Sequence, residues 1–557
     1  MKANVNDAVM NAHDFDIPTV SLNRRANRID HCANARKERV CTLITWRWSG
    51  PWSLRRFRSH AMSLGRVFYT LLMRSRRRQT LEIPIGFAFS LIALTAGIFG
   101  CAATPAGDPL QSLDRTDLTP ARQVAAMQIL DADPTFPAYL KALRRIIVQP
   151  GYSLELRNEA WDRLVAHDLA GLKEILEISF PRMLIYEWRR EVCRRMGALG
   201  WKDLTPTLVR AWAVVIPAYG TNLFERPEYL ALVALWGKDR VPSVLYELLL
   251  KSDPITQANL RSRCWELLLA TGERARILAL LADESSASTD SFILDMRRAA
   301  SDLSILPRNR EEILWVRALR TPGNRAFWDA ARAGVERLPM SVRESLEPRD
   351  LAVVVAAAAF QPELLSRSRD ELFQQVVSAL AAGSTRRYGA SFEGYGTQLP
   401  ETPRAHQAEL RWGDCAAILI ALDALSNPAI RSHLFDIADR DQADRLTEYG
   451  GLLRVDGKGR YELVEFAPQS RGSDVRFEAS QQMFDAGYDA LFHFHNHAQA
   501  YDNQRYAGPH FGDFGYAEST GVNALVFTFI DRNTLNADYY RRGQVVIDLG
   551  TVIRPEH

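Results

Sequence analysis

FHFHNHAQAYDNQRYAGPHFGDFGY, residues 492–516, sets three histidines at alternate positions, then a polar loop, then His510 and Asp513. In a strand the side chains alternate between faces, so His493, His495 and His497 share one face while Phe492, Phe494 and Asn496 share the other. Two histidines two residues apart can both reach a single zinc ion, and a third ligand must then come from elsewhere in the chain. The surroundings of this stretch decide the fold. Short apolar runs at strand length, GGLLRV, YELVEFA, ALFHFH, ALVFTFI and QVVIDLG, follow CAAILIALDALSNPAIRSHLFDIADRDQADR, which reads as two helices. Helices followed by a strand meander indicate an α/β (α+β) domain, here over residues 411–557.

Upstream of the histidines, TEYGGLL places Glu448 at the start of a strand; downstream, GPHFGDFGYA supplies His510 and Asp513. The order resembles the JAMM (MPN) zinc metalloprotease family, whose pattern is a glutamate leading into a Gly-containing strand, then His-x-His, then a loop ending in Ser-x-x-Asp. The matching residues are Glu448 with Gly450-Gly451-Leu452, then His495-Asn496-His497, then His510-Phe511-Gly512-Asp513, and the resemblance covers about residues 430–557. It implies that His495, His497 and Asp513 hold Zn²⁺ with the fourth position open, and that Glu448 serves as general base and acid toward water and the leaving amine. It also implies that His510, standing where the motif has its serine, donates a hydrogen bond to the oxyanion. Two other departures are a longer loop between His497 and Asp513 and Ala498 where a proline commonly follows. His493 with His495 is an alternative ligand pair that lengthens the loop further. Gly487 followed by His493-Phe494-His495 resembles the first cupin motif, without the glutamate expected a few residues later.

The middle of the chain repeats. RNEAWDRLVAHDLAGLKEIL, RREVCRRMGALGWKDLTPTLVRAW, EYLALVALWGKDRVPSVLYELL and RSRCWELLLATGERARILALL each read as helix, tight turn, helix. Their turn positions, Asp168, Asp203, Asp239 and Arg274, are 35, 36 and 35 residues apart, with weaker echoes near Asp133 and Asn309. That period is the signature of an all-α solenoid, because one helix pair cannot bury its apolar face alone while a stack can. The units resemble HEAT or related α-solenoid repeats, expected over residues 118–385. Trp161, Trp212, Trp236 and Trp265 are expected to be packing residues. A solenoid of this kind usually presents a face to a protein or peptide partner. RRYGASFEGYGTQLPETPRAHQ, rich in Gly, Pro and polar residues, marks a linker at 386–410.

At 557 residues, with 47% hydrophobic and 24% charged residues, the composition is that of a globular multidomain protein. The net charge of +3 is unevenly spread: residues 1–80 carry 16 Lys and Arg against 5 Asp and Glu, leaving 53 against 61, a net of −8, for the rest. That mildly acidic remainder speaks against a nucleic-acid partner, and with it an HNH nuclease. Arg74, Arg76, Arg77 and Arg78 precede an apolar run from Ile83 to Phe99, a secretory signal pattern. Its end, Ile98-Phe99-Gly100-Cys101, resembles the lipobox of bacterial lipoproteins, which implies a lipid-anchored envelope protein with Cys101 as the modified N-terminus; an uncleaved signal anchor is the alternative. Met73 is then the expected start, with 1–72 a spurious or disordered extension, 73–100 the signal peptide and 101–117 a linker. Cys193, Cys264 and Cys415 lie far apart in apolar helical contexts without a CxxC, and are expected to be buried thiols.

The whole reads as an envelope lipoprotein whose solenoid recruits a protein or peptide and whose C-terminal domain hydrolyses it with zinc. The alternative is a non-catalytic scaffold with a degenerate metal domain.

Overall fold

Asp168, Asp203, Asp239 and Arg274 each fall where one helix hands over to the next. The computed structural model describes residues 107–214, 222–283, 290–382, 399–469 and 477–556; the expected signal peptide and Cys101 lie outside the described residues. Leu154–His167 is followed by Leu169–Ser179, with the Asp168 side chain capping the second helix by accepting from the Gly171 N–H. Single 3₁₀ turns at Lys202–Leu204 and Lys238–Arg240 link Tyr186–Ala198 to Thr205–Trp212 and Pro227–Trp236 to Val241–Lys251. Ala258–Ala270 and Arg274–Ala282 complete the fourth pair. Pro120–Leu130 and Pro137–Val148 flank Asp133, Ser291–Leu303 and Arg310–Leu319 flank Asn309, and the short helix Pro109–Asp114 falls within the stretch read as a linker.

Buried arginines join one helix pair to the next. Arg157 donates to the carbonyls of Ile147 and Gln149 at the end of the preceding helix. Arg189 donates to Phe180, Met183 and Ala211, Arg226 to Val214 and Ala211, and Arg261 to Leu249. A helix C-terminus leaves carbonyls without intrahelical partners, and a guanidinium satisfies them while opposing the negative end of the helix dipole. Trp161, Trp212 and Trp265 are fully buried, whereas Trp236 is half-buried and donates to Thr205 Oγ1 at 3.0 Å. Cys193, Cys264 and Cys415 are buried and free, as the sequence suggests.

The C-terminal part is a six-stranded mixed sheet with helices on both faces. Its strands are β1 (Gly450–Val455), β2 (Tyr461–Phe466), β3 (Phe492–His497), β4 (Ala524–Asp531), β5 (Thr534–Arg541) and β6 (Val545–Ile553), in the order β2-β1-β3-β4-β5-β6. Only β3 and β4 run parallel. β5 has no counterpart in the sequence reading, because the polar Asn536 and Asp538 break its apolar run. Helices α1 (Trp412–Ser426) and α2 (Pro428–Ala443) meet in a bend of 85°. They pack on the face bearing Phe492, Phe494, Phe527 and Phe529, with the Phe435 and Phe529 rings 6.2 Å apart. The short helix α3 (Gln481–Ala486) and helix α4 (Phe511–Thr520) cover the histidine face. Among the described residues no single helix is long and apolar enough to cross a membrane.

Two glycines allow β1 to sit between its neighbours. A Cβ on Gly450 would lie 2.5 Å from the Phe494 carbonyl oxygen, and one on Gly451 would run into that of Val464.

Residues 101–557 form one compact unit, and buried and half-buried charged residues seal its two parts together. Arg349, 2% exposed, pairs with Asp414 at 2.8 Å and Glu347 at 2.6 Å, and donates to Tyr539 Oη and Asn523 Oδ1. Arg541 reaches Asp414 at 2.8 Å, Arg542 reaches Glu312 and Glu347, and Trp315 Nε1 donates to the Tyr488 carbonyl at 2.6 Å. Residues 399–410, inside the stretch read as a linker, are also docked: Glu401 accepts from the Asp548 N–H, and Leu410 from Arg369 Nε.

Removing one member of a buried pair strands the other, at a cost of about 3–5 kcal/mol. Asp414→Ala should therefore lower the denaturant midpoint of both parts together, read as one coincident transition in tryptophan fluorescence and circular dichroism. Loss of the sheet alone, with the helical part intact, would contradict this coupling.

Candidate metal centre

The ladder between β1 and β3 sets the first half of the site. Gly450 stands opposite His495 and Leu452 opposite His493, while the Asn496 N–H donates to the Tyr449 carbonyl at 3.0 Å. Stepping back along β1 on the same face brings Glu448 level with His497, and its Oε1 lies 3.9 Å from His497 Nε2.

The other half comes from the parallel pairing of β3 with β4, which requires a crossover. The crossover helix is α4, and its first turn sits at the C-terminal end of β3, where open α/β sheets usually gather their ligands. The three-residue step from His510 to Asp513 is the step from N-cap to N3. Asp513 Oδ2 accepts the His510 N–H at 2.6 Å, so the acid is held in place by capping its own helix. Its Oδ1 then lies 3.3 Å from His495 Nε2, and its Oδ2 3.8 Å from His497 Nε2.

The two histidine Nε2 atoms are themselves 3.3 Å apart. Nδ1 of His497 lies 2.8 Å from the Tyr506 carbonyl, which can only accept, so Nδ1 carries the proton and Nε2 presents its lone pair to the cluster. Tetrahedral zinc with bonds of about 2.0–2.1 Å places its ligand atoms about 3.3 Å from one another, and two imidazoles with a carboxylate are donors it accepts. The three side chains fit such an ion by donor type and by spacing.

Charge in the cluster is unevenly held. Burial opposes a proton on His495, but the Asp513 carboxylate beside it outweighs that and raises its pKa to about 9. Burial, with the positive His495 next to it, lowers His497 to about 3. Asp513, half-buried, is kept well below the usual carboxylate range by His495, His497 and the His510 N–H, against the desolvation that opposes its charge. His510 stacks on His497, with ring centroids 4.7 Å apart, and its ring nitrogen lies within 4.8 Å of the His497 and Asp513 donor atoms.

His493 points elsewhere. Its Nδ1 contacts Tyr516 Oη at 2.7 Å, its Nε2 faces Gly487, and burial lowers its pKa to about 4. The structure thus brings Glu448, His495, His497, His510 and Asp513 together and leaves His493 outside. Sequence reasoning missed Tyr506, Tyr540, whose hydroxyl is 3.5 Å from His495 Nδ1, and Phe477, whose ring lies parallel to that of His495. Tyr540 belongs to the unrecognised strand β5, whose alternation of Asn536, Asp538 and Tyr540 was the available signal.

Compared with known proteins, the chain matches no family model, no curated protein and no solved structure.

A raised folded-state pKa contributes stability in full below the unfolded value, lost as pH rises through the folded value. In metal-free protein, histidine NMR titration should find His495 protonated until about pH 9 and His497 neutral at all pH above about 3. The stability His495 contributes should fade from about pH 6.5 to about pH 9 and be missing from His495→Gln. A His495 titrating at its ordinary value would refute the ion pair with Asp513.

Proposed function

We propose that this chain is a zinc-dependent hydrolase of peptide or isopeptide bonds, with a JAMM-like domain preceded by a HEAT-like solenoid. One observation carries the reading: His495 Nε2, His497 Nε2 and the Asp513 carboxylate approach one another at 3.3–3.8 Å, with the buried Glu448 carboxylate 3.9 Å from His497. The order of glutamate strand, histidine strand, crossover helix and parallel strand supports it, since each element delivers the residue that the motif assigns to it.

His495, His497 and Asp513 would hold the metal, which when bound acidifies water at its open position and polarises a carbonyl. Glu448, on the same face of the sheet, takes a proton from water and returns it to the leaving amine. His510, stacked on His497 at the first turn of α4, donates a hydrogen bond to the oxyanion that forms on the carbonyl. The solenoid presents the protein or peptide substrate, and Cys101 carries the lipid that anchors the protein in the bacterial envelope.

The second reading is a scaffold with a structural metal. It is favoured by the burial of the site, since Glu448, His495 and His497 are each no more than 5% exposed.

Elemental analysis of purified protein should find about one zinc per chain, lost in His495→Ala and Asp513→Ala. Glu448→Gln should keep the zinc and lower hydrolysis of a peptide panel by about 10²–10⁴-fold. Metal-free wild type sinks both readings of the site; retained zinc with no hydrolysis in the wild type selects the scaffold. Cys101→Ala should no longer partition into detergent.

A further inference from the structure

The loop from Gln499 to Tyr506 leaves β3 just after His497, and one polar side chain in it turns inward. Ala500, Asp502, Gln504 and Arg505 are exposed, whereas Asn503 is 3% exposed. Its carboxamide uses both hydrogens: Nδ2 donates to the His497 carbonyl at 3.0 Å and to Gln499 Oε1 at 2.7 Å. A backbone carbonyl can only accept, so the nitrogen of the amide, and not its oxygen, faces His497.

The main chain of Asn503 is fixed as well. Its N–H donates to the Phe529 carbonyl on β4 at 2.9 Å, and its own carbonyl accepts the Tyr506 N–H at 2.9 Å, closing the single 3₁₀ turn Gln504–Tyr506. That turn brings the Tyr506 carbonyl to β3, where it accepts from His497 Nδ1 at 2.8 Å. Thr528, fully buried and opposite His497 in the parallel ladder, approaches the same carbonyl with Oγ1 at 3.5 Å.

These bonds form a closed circuit. The His497 carbonyl accepts from the Asn503 side chain, the Asn503 carbonyl accepts from the Tyr506 N–H, and the Tyr506 carbonyl accepts from the His497 ring. One asparagine thus ties the backbone of a histidine to the group that holds the same histidine's ring. A histidine that binds metal through one ring nitrogen usually donates its other N–H to such an acceptor, which sets both tautomer and ring orientation. Here the neutral ring keeps its proton on Nδ1 and directs the Nε2 lone pair to His495 Nε2 and Asp513 Oδ2, 3.3 and 3.8 Å away.

We propose that Asn503 is a positioning residue of the metal centre: by bridging the His497 carbonyl and the turn that carries the Tyr506 carbonyl, it holds His497 in the Nδ1–H tautomer with Nε2 aimed at His495 and Asp513. It acts through His497 and not on the ion. The consequence for zinc rests on the reading proposed above, whereas the tautomer does not. An aspartate of the same shape cannot replace it, because a carboxylate has no hydrogen to offer the His497 carbonyl and would set oxygen against oxygen.

The test compares purified wild type with Asn503→Asp, Asn503→Ala and Gln499→Ala, the last of which leaves the circuit whole. Circular dichroism establishes that each variant is folded, and Asn503→Ala, which introduces no charge, decides the matter if Asn503→Asp does not fold. In zinc-free protein, two-bond ¹H–¹⁵N NMR of the histidine rings should find the His497 proton on Nδ1 in wild type and Gln499→Ala. In both Asn503 variants a substantial fraction should move to Nε2. In chelator competition, zinc should bind the Asn503 variants about 10–100-fold more weakly than wild type, and Gln499→Ala like wild type. An unchanged tautomer in a folded Asn503 variant would overturn the positioning role, as would a loss in Gln499→Ala as large as in Asn503→Ala. A shifted tautomer with wild-type zinc affinity would overturn its consequence for the metal. A wild type that binds no zinc would refute the metal reading, while the tautomer comparison would still judge the circuit.

Discussion

Asp414 and Arg349 place opposite charges where water cannot reach, and the architecture depends on their meeting. Each is no more than 2% exposed, and they lie 2.8 Å apart. A buried charge without its partner is so costly that the helical part and the sheet have one way to dock. The consequence extends to the histidine strand β3. Arg349 also donates to Asn523 Oδ1, and the Asn523 carbonyl accepts the His493 N–H at 3.0 Å, so the docking of the helices sets the height of β3 beside β4. A helical array that is only a tether for substrate would not need this contact.

Within the sheet, the site follows from β3 having one antiparallel and one parallel neighbour. The antiparallel ladder to β1 brings Glu448 to the far end of β3, where His497 stands. The parallel ladder to β4 forces a crossover, and the first turn of that crossover delivers Asp513 to the same end. Carboxylates thus arrive from two directions at two histidines whose spacing the strand already fixes. The cluster is assembled by hydrogen-bonded register rather than by loop placement, and the one loop it uses is tied to Thr528 and His497 through the Tyr506 carbonyl.

Much of this was legible in the sequence. The first strand, Gly450–Val455, coincides with GGLLRV, and α1 and α2 are the two helices read in CAAILIALDALSNPAIRSHLFDIADRDQADR. The helix pairs fall at the turn positions that the repeat marks. What was not legible had physical causes. α4 contains Gly512 and Gly515, which hide a helix whose stability comes from packing and from its Asp513 cap. β5 carries Asn536 and Asp538 on a buried face, a pattern that reads as a turn because sequence shows polarity and not the partner that offsets it. Arg157, Arg189 and Arg261 drew no notice in the sequence, because nothing local marks a guanidinium that satisfies helix ends inside the array.

The sequence by itself determined the residue types and their order: a glutamate before a Gly-Gly strand, alternating histidines, a histidine and an aspartate three apart, and helix pairs at a 35-residue period. Local spacing carries that much, because strand alternation and helix turns depend on near neighbours alone. Only the tertiary structure decided which histidines converge. His493, His495 and His497 are equivalent by alternation, but the register against Gly450 and the landing point of α4 bring carboxylates to the last two and leave the first to Tyr516. Ladder register and crossover placement are long-range pairings, and no local pattern encodes where they close.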